Sequence, residues 1–95
     1  MIVHTLNKPP SMPAAQQALA ALGEKDVLVL IEEGVHAVLH PSWNGWQLGE
    51  RLVLLQEDLD ARGLASLARS KALPSITVDE FVALTVSCDN IIAWY

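Results

Sequence analysis

The apolar residues of this chain fall in short runs, and polar or helix-breaking stretches separate them. Ile2 to Leu6 is short and rich in β-forming residues, which predicts a first strand. Asn7-Lys8-Pro9-Pro10-Ser11 breaks it, because each Pro lacks a backbone donor and pushes its predecessor out of helical space. Pro13 stands where a helix can begin. Ala14 to Leu22 is Ala- and Leu-rich with Gln16 and Gln17 as its polar residues, and Gly23 closes it. Glu24-Lys25-Asp26 is a polar turn. Val27 to Ile31 is uninterrupted aliphatic sequence, the pattern of a strand buried on both faces. Glu32, Glu33 and Gly34 end it.

Val35 to Leu39 suggests a short helix. His40 to Gly49 holds Pro41, Gly45, Trp43 and Trp46 and reads as a loop. Arg51 to Leu55 is a third strand. Gln56 to Arg62 is a short helix with Glu57 and Asp58 in its first turn and Arg62 in its last, a charge order that complements the helix dipole. Leu64 to Lys71 suggests another. Pro74 to Thr77 is extended. Thr77 and Glu80 have capping-box spacing and start a helix whose apolar face is Val78, Phe81, Val82, Thr85 and Val86. Ile91 to Tyr95 is the last strand. Strands and helices that alternate in this way imply right-handed crossovers, so the expected fold is α/β, a mostly parallel sheet flanked by helices. No repeat or linker divides the chain, so residues 1–95 are read as one domain.

Composition adds an expectation about partners. The chain has 95 residues, of which 52% are hydrophobic. So small a domain buries only roughly 60–65% of the surface its unfolded chain exposes. Apolar surface is therefore left over, and such surface usually meets a partner. Six Lys and Arg stand against eleven Asp and Glu, a formal net charge of -5. That argues against a direct nucleic-acid footprint and against docking on an anionic membrane. No apolar run approaches the ~18 residues of a membrane span, and no secretory signal pattern is present, which favours the cytoplasm. Cys88 is the single cysteine, so neither an internal disulfide nor a multi-cysteine zinc site can form within the chain.

Few residues offer chemistry. Gly23 and Gly34 are too isolated to cradle a phosphate, so no cofactor is expected. Cys88 is the first suspect for sulfur chemistry, as a persulfide carrier. A reactive thiolate wants a helix N-terminus or a nearby cation, whereas Cys88 follows a helix and precedes Asp89, so a small half-buried structural residue is the better reading. His4 lies among apolar strand residues. It reads as a satisfied structural histidine, with a subunit contact as its functional alternative. His36 and His40 have a spacing that binds metal on a helix, but no acidic partner completes a motif, and no metal site is expected. Trp43 and Trp46 either fold back on the domain edge or anchor an interface, where Trp is favoured. Glu32 and Glu33 follow a strand end, where open α/β sheets bind ligands, but read more simply as a solvated turn.

The order of these segments resembles the TusB/DsrH family. The matching stretches are Ile2 to Pro10, Glu24 to Gly34, Glu57 to Leu64 (the most specific), Phe81-Val82, Leu84-Thr85-Val86 and Ala93-Trp94. The resemblance implies the DsrE/DsrF-like, flavodoxin-like fold. It implies one of three homologous subunits in a TusBCD-like heterohexamer, so the partners would be TusC-like and TusD-like chains. Such a complex passes persulfide sulfur from an upstream carrier to a downstream one, towards the 2-thio group of 5-methylaminomethyl-2-thiouridine at the tRNA wobble position. Some DsrH-type members carry a cysteine in the first helix. Gln16-Gln17-Ala18-Leu19 has none, which favours a non-catalytic structural subunit. The alternatives are a DsrH-type subunit of a DsrEFH complex in dissimilatory sulfur oxidation, and a stand-alone flavodoxin-like module that binds a small ligand.

Overall fold

Val27–Leu30 is aliphatic at every position, and it forms the middle strand of the molecule. The computed structural model describes all 95 residues. Its five strands are β1 (Ile2–Leu6), β2 (Val27–Leu30), β3 (Leu52–Leu55), β4 (Ser75–Ile76) and β5 (Asn90–Trp94). They make one sheet in the order β4-β3-β2-β1-β5, and every neighbouring pair is parallel. A two-residue hairpin cannot join parallel strands, so each connection is a crossover. The helices are α1 (Pro13–Ala21), α2 (Gln56–Ala61), α3 (Ala65–Ser70) and α4 (Val78–Ser87).

From β1 to β4 the chain steps across the sheet in one direction. Right-handed crossovers then collect the intervening elements on one face. There Leu6, Leu28, Leu30, Leu52 and Leu54 meet Ala14, Ala15 and Ala18 of α1, with Leu59, Leu64, Ala68, Val35 and Val38 around them. Alanines on the inner side of α1 let that helix approach closely. The return from β4 to β5 reverses direction, so a right-handed crossover puts α4 on the opposite face, the face to which Val3 and Val29 alternate; both are fully buried. No residue of α4 itself is buried. One face of the sheet is thus thickly covered, and the other carries a single helix.

The expected elements appear with shifted ends. Val35 to Leu39 belongs to a longer 3-10 segment, Glu32–Leu39. The expected loop from His40 to Gly49 overlaps a second one, Asn44–Arg51, kinked at Gly49 with φ 61. Arg51 closes that segment and β3 starts at Leu52. Ile31 drops out of β2 because the chain turns at Glu32, which has φ 50. Asp58 Oδ2 holds that turn by accepting the Glu32 amide at 2.7 Å. The capping box forms as its spacing predicted, with Glu80 N donating to Thr77 Oγ1 at 3.1 Å and Thr77 N donating to Glu80 Oε1 at 2.9 Å.

The expected apolar face of α4 is in fact two faces. Phe81, Leu84, Thr85 and Cys88 are half-buried, while Val78, Val82 and Val86 are exposed. Spacings of three and four bring the first set together along the helix, and spacings of four bring together the second.

Candidate functional site

A histidine in the middle of β1, on the side that faces α1, must satisfy both ring nitrogens inside the protein. His4 does so with only 1% of its surface exposed. Trp94 Nε1–H donates to His4 Nδ1 at 3.0 Å, so the ring proton sits on Nε2. Nε2 in turn donates to Asp26 Oδ2 at 3.0 Å. The His4 and Trp94 rings lie edge to edge and nearly coplanar, 12° apart in plane with centroids 6.3 Å apart. Asp26 also accepts the Gly23 amide and the Ile2 amide, each at 2.9 Å. The network ties β1, the turn before β2, and β5. His4, read first as a satisfied structural histidine and second as a contact residue, is enclosed by Asp26 and Trp94 of its own chain. Sequence reasoning passed over Asp26 as part of a polar turn, because two of its partners, Ile2 and His4, lie 24 and 22 residues away in the chain.

The Gly23 and Ile2 amides, then His4, pull the Asp26 carboxyl down from 3.8 to about 2. A carboxylate depressed in the folded state stabilises the fold above its unfolded value and loses that contribution as pH falls through its folded value. The Asp26 share of stability should therefore be complete above about pH 5 and fade from there towards pH 2. Asp26→Asn should melt lower than the parent at pH 7, and the gap should narrow steadily below pH 4. Thermal melts of both proteins across that range measure it, and a gap that stays constant would show that the charge of Asp26 contributes nothing.

Trp43 and Trp46 are both half-buried and pack against the core, with rings in an edge-to-face pair at 5.8 Å. Trp46 Nε1 donates to His40 O at 2.9 Å. Gly45 sits beneath Trp43, where an added Cβ would fall 2.5 Å from the ring. The segment thus gives its tryptophans more intrachain cover than a Pro- and Gly-containing loop suggested. A shallow hollow of about 370 Å³ beside Trp43 is lined by Pro10, Ser11, Leu39, His40, Pro41 and Ser42. His36 and His40 lie on or just after a 3-10 segment, where residues three apart stack, not four.

Cys88 caps the C-terminal end of α4 and is half-buried, with its thiol donating to Thr85 O at 3.2 Å. The Met1 ammonium, paired with the adjacent Asp89, lies close enough to Cys88 for their charges to interact, while the thiol itself sits at the C-terminal end of its helix. Glu32 and Glu33 are exposed at the carboxyl end of β2, and Asn7 Nδ2 reaches Glu32 Oε2 at 3.4 Å.

The structure does not bring Cys88, His4 and the tryptophan pair into one site. What it presents instead is the outer side of α4. Val78, Val82 and Val86 are 40%, 52% and 80% exposed, and Ile91 on the neighbouring strand is 48% exposed. The valine spacing was visible in the sequence, but only the structure shows that these three point outward.

A family model described as DsrH like protein matches residues 9–91. Proteins named Protein TusB from Escherichia coli O1:K1 / APEC and from Cronobacter sakazakii (strain ATCC BAA-894) are each 32% identical to this chain over 96 residues. Each match covers 98% of this chain and 100% of the relative.

Proposed function

The chain belongs to the DsrH-like family, and we propose that it is a non-catalytic subunit of a sulfur-relay complex. The observation that carries this reading is the end-to-end match to proteins named TusB. The finer proposal is a TusBCD-like heterohexamer with TusC-like and TusD-like partners. It would act in the cytoplasm and pass persulfide sulfur between carriers towards 2-thiolation of the tRNA wobble uridine. No helix is long and apolar enough to cross a membrane.

Two features of the chain fit a structural role. Its single thiol is half-buried at a helix C-terminus and bonded to a backbone carbonyl. Its last helix exposes valines that its own fold leaves uncovered. The uncovered edges of Trp43 and Trp46 are a second candidate contact in the same complex. The test is genetic and chemical. Deletion in the native host should abolish 2-thiouridine in wobble positions, as read by nucleoside mass spectrometry, and the parent sequence should restore it. Cys88→Ser should restore it to within about twofold, because the thiol is bonded to the Thr85 carbonyl at a helix C-terminus, where a serine hydroxyl can take its place. A folded Cys88→Ser protein that restores nothing would make this chain a sulfur carrier.

The DsrH description of the matching family favours one alternative, a subunit acting in dissimilatory sulfur oxidation. In that case deletion would leave thiouridine intact and impair growth on reduced sulfur.

A further inference from the structure

We infer that the outer face of α4 docks a different chain, one that presents an apolar surface bordered by Lys or Arg. The inference rests on the subunit reading above and specifies the surface and chemistry of the contact.

Helix physics supplies the first argument. Valine is stiff at χ1 and a weaker helix former than Ala, Leu or Lys. Three valines at outward positions of a ten-residue helix lower its stability without gaining burial in this chain. Val78, Val82 and Val86 make one continuous ridge, inclined to the helix axis by about 26°, because residues four apart are neighbours along a helix. A partner that covers the ridge supplies the missing burial.

Charge decides between a second copy and another protein. Beyond Lys71 the chain contains no Lys or Arg, while Asp79, Glu80 and Asp89 all lie in that stretch. Asp89 is paired with the N-terminal amine. Asp79 and Glu80 are both exposed at the start of α4; Glu80 accepts the Thr77 amide, and neither carboxylate forms an ion pair within this chain. A second α4 laid against the ridge would bring valines but no cation for these carboxylates. A chain with basic residues beside its apolar surface matches both parts.

The test uses the full chain with the homologous sulfur-relay subunits of the same organism, purified together. Val86 is 80% exposed, so Val86→Asp should leave the circular-dichroism melt unchanged. Val82→Asp tests the centre of the ridge, and Asp79→Lys tests its acidic end. Val82→Asp and Val86→Asp should each weaken assembly at least about thirtyfold by titration calorimetry. Asp79→Lys should weaken it about threefold to tenfold and flatten its salt dependence. If the parent assembles and both valine variants assemble equally well, the surface is wrong while the subunit reading stands. If the ridge variants abolish only a homodimer of this chain, the partner is a second copy and the inference is overturned. If the parent binds neither homologous subunit, the subunit reading fails and this surface fails with it.

Discussion

Gly34→Ala should destabilise the native fold severely. A Cβ built on Gly34 would lie 2.2 Å from the carbonyl oxygen of Leu6 and 3.2 Å from its carbonyl carbon. The obstacle is the backbone of β1, next to the middle strand, at a residue with no exposed surface. That carbonyl also accepts the Ile31 amide at 3.0 Å, so moving it breaks the link between β1 and the end of β2. Overpacking against movable side chains costs about 1–3 kcal/mol. Against buried backbone the cost should reach at least about 3 kcal/mol, a large part of the roughly 5–14 kcal/mol that a chain of this size has in total. Urea unfolding and circular dichroism measure the loss. We expect a Tm at least about 12 °C lower, or an insoluble product. A melt like the parent's would mean that the 3-10 segment shifts freely away from β1.

Trp94→Ala should lower the melting temperature by roughly 15 °C. Trp94 is half-buried against the core on an edge strand, and its indole N–H is the donor that satisfies His4 Nδ1. The truncation removes apolar contact and also leaves a buried ring nitrogen without a partner. Together these should cost about 3 kcal/mol. Trp94→Phe separates the two effects, because it keeps a ring and loses the donor. It should recover more than half of the loss in a differential scanning calorimeter. A harmless Trp94→Ala would show that water can replace the indole at His4.

Much of the fold was legible because its signals are local. The Val27–Ile31 run, Pro13 at a helix start, Gly63 after α2 and the Thr77–Glu80 box each report on neighbouring residues, and each appears close to where the pattern placed it. The segments from Glu32 to Arg51 were harder to read. A 3-10 turn has no strong apolar period, and Pro41, Gly45 and Gly49 resemble loop punctuation. The candidate sites were least legible, because they depend on orientation across the whole chain. Nothing near Asp26 in sequence shows that Ile2 and His4 will bond to it. Trp43 and Trp46 drew attention by residue type, but the fold tucks them against the core. The α4 valines looked like half of one inward face until the position of Phe81 and Leu84 separated them.

The pairing of β1 with β5 sets Ile2 beside Asn90 and Leu6 beside Trp94, the two extremes of the chain. During synthesis, β1 through β4 can assemble while one edge of β1 stays open, and the imidazole of His4 waits for its indole donor. Closing so long a loop is the entropically costliest step of the sheet, and non-local strand pairing is the slow kind. The final strand and the helix before it therefore arrive as a latch, set after the rest of the sheet. The valine ridge and the last sheet contact mature together, so the surface offered for assembly comes into being only on a chain that has finished folding.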